Sequence, residues 1–128
     1  MGFFDSVKSI FSSDMPDFWT ILDEPSEVKR TIRASNESPQ LIYKHSHRCA
    51  TCFFAKKQVE EVAHAVADEA NLYFVDVIRS RPVSNTIAEE LEVPHESPQL
   101  ILLNAGKVQW HESHGAITSE AILAALKH

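Results

Sequence analysis

The sequence predicts an α/β fold built round a mixed central sheet with helices on its faces. Three observations carry this. Apolar runs of strand length alternate with segments of helical period in the order β-α-β-α-β-α-β-β-α. The last two strands flank a short turn, and a continuous parallel sheet cannot end in a tight hairpin, so the sheet is mixed. The only two cysteines, Cys49 and Cys52, stand where the second strand gives way to the second helix.

Taken in order, residues 1–15 read as an amphipathic appendage and residues 16–128 as the domain. Phe3, Phe4, Val7, Ile10 and Phe11 recur at helical spacing, and Ser12 to Pro16 breaks the pattern. The Met1-Gly2 start fits the short myristoylation pattern. Weak peripheral contact of residues 1–11 with a membrane, or contact with a partner, is one expectation for such a segment; docking on its own domain or loose order is the favoured one. Trp19, Ile21 and Leu22 mark a first short strand. Glu24-Pro25-Ser26 opens a helix that ends near Asn36, with Val28 and Ile32 on one face. Leu41 to Lys44 is the strand that leads to the cysteines.

After the cysteines comes the strongest helical pattern, Val59, Val62, Ala63, Val66, Ala67 and Ala70, with Phe53 and Phe54 extending its apolar surface. Leu72 to Val77 is a strand, and a helix around Thr86 to Leu91 takes Ser84 as its N-cap. Leu100 to Leu103 and Val108 to Trp110 flank Asn104-Ala105-Gly106-Lys107, a hairpin turn that needs positive φ at Gly106. Thr118 caps a last helix carrying Ile122, Leu123 and Leu126. The hexapeptide Glu-Ser-Pro-Gln-Leu-Ile occurs at residues 37–42 and 96–101, two similar entries into buried strands.

Composition narrows the function classes. A chain of 128 residues fits one domain, and a net charge of −6 argues against nonspecific nucleic-acid binding. No apolar run is long enough to form a transmembrane segment, and the N-terminus lacks the basic start and apolar core of a secretory signal. A cytoplasmic location follows as an expectation. There, a single cysteine pair is more often catalytic than structural.

C-x-x-C at a strand–helix junction reads as a redox site of thioredoxin type, and the fold as thioredoxin-like. A cysteine at a helix start faces unpaired backbone N–H groups and the positive end of the dipole, which favour thiolate over thiol. Such cysteines reach roughly 3.5 to 7.5, against about 8.5 for a free thiol. From Ser38 to Val59 there is no carboxylate, while Lys44, His45, His47, Arg48, Lys56 and Lys57 fall in that window. Cations there would lower the pKa of Cys49 and attract an anionic thiol substrate, which makes Lys44, His45, His47 and Arg48 candidate substrate-binding residues. Two other readings fit the same residues. His45 and His47 could join the cysteines in a zinc or copper site, although H-x-H-x-C-x-x-C is crowded for one. The domain could also be a redox-silent interaction module. The strand–helix context favours thiol exchange.

A fold of this type carries a cis-proline opposite the redox pair, at the start of the strand that enters the hairpin. Pro98 occupies that place, whereas Pro39 precedes the strand that delivers the cysteines. A cis bond there exposes the Ser97 backbone to a bound chain, which can pair with it as an extra strand.

With these residues laid out, the chain resembles the bacillithiol-system redox proteins, the YtxJ-like monothiol bacilliredoxins. Lys44-His45-Ser46 before Cys49, His95-Glu96-Ser97-Pro98-Gln99 and Trp110-His111-Glu112-Ser113-His114 carry the resemblance, over about Trp19 to Lys127. It implies a cytoplasmic thioredoxin-fold protein that removes bacillithiol from mixed disulfides on client proteins. Cys49 would be the nucleophile and Pro98 the cis-proline. The thiol itself would be co-substrate, with no other cofactor. Members typically have proline after the first cysteine and serine at the second position; here Ala50 and Cys52 stand there, so a dithiol cycle with Cys52 as resolving thiol becomes chemically available. His111 and His114 are expected at the surface rather than in the chemistry.

Overall fold

The computed structural model describes residues 16–127. The appendage of residues 1–15, and with it the membrane contact expected of residues 1–11, lies outside the described residues.

Five strands form one sheet in the order β1-β3-β2-β4-β5. They are β1 (Trp19–Ile21), β2 (Gln40–His45), β3 (Asn71–Asp76), β4 (Gln99–Asn104) and β5 (Lys107–Ser113). β1 and β2 pair parallel to β3, while β4 runs antiparallel to β2 and β5 antiparallel to β4. The sheet is therefore mixed, and the fold is thioredoxin-like α/β.

The helices are α1 (Pro25–Ala34), α2 (Ala50–Glu61), α3 (Ala63–Glu69), α4 (Arg81–Leu91) and α5 (Ser119–Leu126). The strand and helix order is the expected one, with a correction inside it. The long helix after the cysteines is broken at Val62, whose φ of −108° and ψ of 12° leave the helical region. Neither glycine nor proline announces the break, and the apolar spacing runs through it, so periodicity alone reads one helix. A second correction concerns α4. It starts at Arg81, with Pro82 in its first turn, rather than beyond Ser84. Proline suits that position because its missing N–H would have no intrahelical partner. Ser84 lies within the helix, and its hydroxyl is 3.3 Å from His95 Nδ1.

The central strands are apolar on both faces because helices cover both. Leu41, Tyr43, Phe74, Leu100 and Leu102 pack with Ala55, Val59, Val66 and Ile122 on one side. Ile42, Val75, Ile101 and Leu103 pack with Val28, Val83 and Ile87 on the other. Trp19 closes the first cluster edge-on to Phe74, centroids 5.3 Å apart, and its indole donates to Glu60 Oε2 at 2.9 Å. Thr118 caps α5 as its sequence predicts, accepting from Ala121 N at 3.1 Å. In the β4–β5 turn both Ala105 and Gly106 have positive φ, 55° and 77°, the primed geometry that matches strand twist. That turn is tied to the end of α1: Ala105 N donates to Ser35 O at 2.8 Å and Gly106 N to Ser35 Oγ at 2.9 Å.

Candidate active site

β2 ends at His45, and after a short turn Cys49 becomes the N-cap of α2 in an extended conformation, φ −126° and ψ 115°. Both cysteines are free thiols, Cys49 partly exposed and Cys52 fully buried. The Cys49 thiol is held below its ordinary value by interaction with the Cys52 side chain and by the backbone N–H groups of Cys52 and Thr51. Burial pushes the Cys52 thiol the other way. The pair thus divides into an accessible sulfur that ionises readily and a sheltered one that does not.

The Ser97–Pro98 peptide bond, at the start of β4, is cis. Cys49 Sγ lies 4.0 Å from the carbonyl oxygen of Ser97, and Cys52 Sγ lies 3.4 Å from Ser97 Oγ. Ser46 N adds a donor to Cys52 Sγ, also at 3.4 Å. Ser97 therefore touches both thiols, through its backbone and through its hydroxyl. The hydroxyl contact was not legible in the sequence. Its only signal is a polar, hydrogen-bonding side chain before a proline expected opposite the cysteines.

Below the helix start, Tyr43 Oη donates to the carbonyl of Cys52 at 2.6 Å and lies 3.0 Å from His45 Nδ1. A phenol has one proton, and Cys52 O can only accept. The proton between Tyr43 and His45 is therefore carried by His45 Nδ1. Burial pushes the Tyr43 phenol up and holds His45 down to about 4, so the ring is neutral at neutral pH.

Two of the four cations expected round the thiol are elsewhere. Lys44 and His45 are buried, at 0% and 1% exposure. β2 is a central strand covered on both faces, so its polar residues go inside with its apolar ones. His45 packs among Tyr43, Phe53 and Phe74. Lys44 pairs in register with Gln99 of β4, and among the described residues Lys44 Nζ and Gln99 Oε1 are the buried side-chain polar atoms without a hydrogen-bond partner. Burial lowers the Lys44 ammonium to about 8, with Glu96 opposing. His47 and Arg48 are exposed beside Cys49 as expected, and His47 Nε2 lies 3.0 Å from Asp76 Oδ2. His114 is exposed and lies 3.4 Å from Glu96. Among the described residues, no group of three or more His, Cys, Asp and Glu side chains is arranged to hold a metal ion.

The sequence model of the monothiol bacilliredoxin BrxC matches residues 20–122. The chain belongs to the monothiol bacilliredoxin family. Its solved neighbours share the fold. A solved protein with a thioredoxin fold is 25% identical with a TM-score of 0.74, the match covering 84% of this chain and 93% of that one. Thioredoxin O2 of Arabidopsis thaliana, in its oxidized state, is 16% identical with a TM-score of 0.69, covering 88% and 95%. Mitochondrial thioredoxin 3 of Saccharomyces cerevisiae, also oxidized, is 20% identical with a TM-score of 0.66, covering 84% and 92%. Family and fold together support a thiol redox role for this bacilliredoxin.

Proposed function

We propose that this bacilliredoxin removes a low-molecular-weight thiol, bacillithiol by family, from mixed disulfides on client proteins in the cytoplasm. The observation that carries the reading is the division of the pair: Cys49 accessible with a lowered pKa, Cys52 buried with a raised one.

Cys49 thiolate attacks the small-thiol sulfur of the client disulfide. The bond to the client sulfur breaks, and the client leaves as a thiolate. Cys49 now carries the small thiol as a mixed disulfide. Cys52 then loses its proton, which ends on the departing small thiol, and attacks Cys49 Sγ with the hydroxyl of Ser97 and the N–H of Ser46 donating to its sulfur. The small thiol leaves with the electron pair, and a Cys49–Cys52 disulfide remains. Two electrons from an external thiol reductant restore the starting state. Arg48 supplies the positive side of an anionic thiol's site, with the exposed His47 imidazole next to it in sequence as a hydrogen-bonding group, and the Ser97 backbone holds the client chain.

Intact mass after a single turnover with limiting bacillithiolated client tests the cycle. Wild type is expected to lose two hydrogens and carry no adduct, and Cys52→Ser to retain the small thiol on Cys49. An adduct equally long-lived on wild type would reduce Cys52 to a bystander. A Cys49→Ser variant that still released the thiol would overturn the assignment of the nucleophile.

A further inference from the structure

The rings of Phe53 and Phe54 are 52% and 71% exposed. They follow Cys52 directly in α2, whose core-facing side is Cys52, Ala55 and Val59. The helix thus packs on the sheet mainly through those residues, with Phe53 also reaching His45 at the end of β2. Large apolar side chains left in water in adjacent positions mark an interaction surface more often than they occur by accident. Their direction is informative too. A helical side chain covers the turn N-terminal to its own Cα, and residues four apart share a face. Phe53 stands four residues after Cys49, and its ring lies against His45 and His47, which lead into the accessible sulfur; Phe54 stands four after Ala50, in the same opening turns of α2.

What covers them follows from the chemistry of Cys49. A mixed disulfide brings the partner's sulfur to about 2 Å from Cys49 Sγ. The residues flanking the partner's cysteine are then carried across the start of α2. A small thiol has no such neighbours. Charge adds to this. The stretch from Ser38 to Val59 holds no carboxylate, and Arg48 and Lys57 are exposed on either side of the two rings in sequence.

We propose that Phe53 and Phe54 form a client-recognition surface that selects protein disulfides whose modified cysteine is flanked by a large apolar and an acidic side chain. The inference rests on the thiol-exchange reading above and names the client class for that site. It makes the pair a determinant of protein substrates and not of the chemical step. Phe54 is the cleaner position to test, because Phe53 also packs on His45, centroids 5.1 Å apart.

The test uses the full chain and short peptides, each with one cysteine in mixed disulfide with 2-mercaptoethanol. One peptide carries Phe and Glu beside the cysteine, a second Ser and Glu, a third Phe and Lys. Wild type is expected to favour the first over the second in kcat/KM by about tenfold. Replacing Glu by Lys costs about threefold at low salt, a difference that closes at high salt. Phe54→Ser removes most of the selectivity for the apolar flank, Phe54→Leu retains it, and both reduce hydroxyethyl disulfide as wild type does. Equal rates on the first two peptides, or selectivity that survives in Phe54→Ser, would overturn the recognition surface while small-disulfide turnover kept the oxidoreductase reading intact. Equal rates on the Glu and Lys peptides would remove the acidic flank from it. Failure with every disulfide, hydroxyethyl disulfide included, would overturn both readings. A dimer of wild type that Phe54→Ser dissolves would assign the rings to a second copy instead.

Discussion

Lys44→Met is expected to make this protein more stable, although it removes a residue from the middle of the sheet. The Lys44 ammonium is fully buried without a hydrogen-bond partner. Burial lowers its pKa from the 10.5 of a free lysine to about 8. At about 1.4 kcal/mol per pH unit, holding that charge inside at pH 7 costs about 3 kcal/mol. Methionine has a similar length and no charge, and replacing a buried ion by an apolar group of like volume is often stabilising. The gain should be about 2–3 kcal/mol at pH 7. Its pH dependence follows from linkage. The folded pKa lies below the unfolded one, so between pH 8 and 10.5 the unfolded chain binds more protons, and wild-type stability rises with pH across that window. The advantage of the variant should therefore shrink over the same interval. Urea denaturation of both proteins at several pH values from 7 to 10.5 measures this. A variant less stable at pH 7, or a difference that ignores pH, would show that Lys44 finds a partner that offsets its burial.

Two further outcomes concern the thiols. Ser97→Ala removes the hydroxyl from Cys52 Sγ. It should slow formation of the Cys49–Cys52 disulfide by about tenfold while leaving the first attack on small disulfides near the wild-type rate, as rapid quench and mass spectrometry would read. Tyr43→Phe strips the donor from the Cys52 carbonyl and the acceptor from His45 Nδ1. Both groups are buried, so a loss of about 1–3 kcal/mol is expected in chemical denaturation; an unchanged midpoint would mean that the groups left behind find other partners.

Much of the fold was legible because it is written in local chemistry. The hairpin follows from a glycine in a four-residue turn, α5 from a threonine cap, and the site from two cysteines at a helix start. What escaped depends on neighbours distant in sequence. Lys44 and His45 look like surface cations in a one-dimensional reading. Only the placement of β2 between β3 and β4, with helices on both faces, sends them inside. The break at Val62 likewise lacks a glycine or proline to mark it. The contact of Ser97 Oγ with Cys52 joins residues 45 positions apart.

The tie between the β4–β5 turn and Ser35 has a consequence at the other end of the molecule. β4 begins beside the thiols, directly after Pro98, and ends at a turn clamped to α1. A strand pinned at its far end works as a ruler with a fixed zero. Its length sets where Ser97 stands along the strand direction relative to Cys49 and Cys52. Gly106 is the peg. Its φ is +77°, and an added methyl group would meet Asn36 Oδ1 at 3.2 Å. A side chain there would load the peg from two directions at once. The position of Ser97 against the two sulfurs is thus gauged from a turn at the opposite end of its strand.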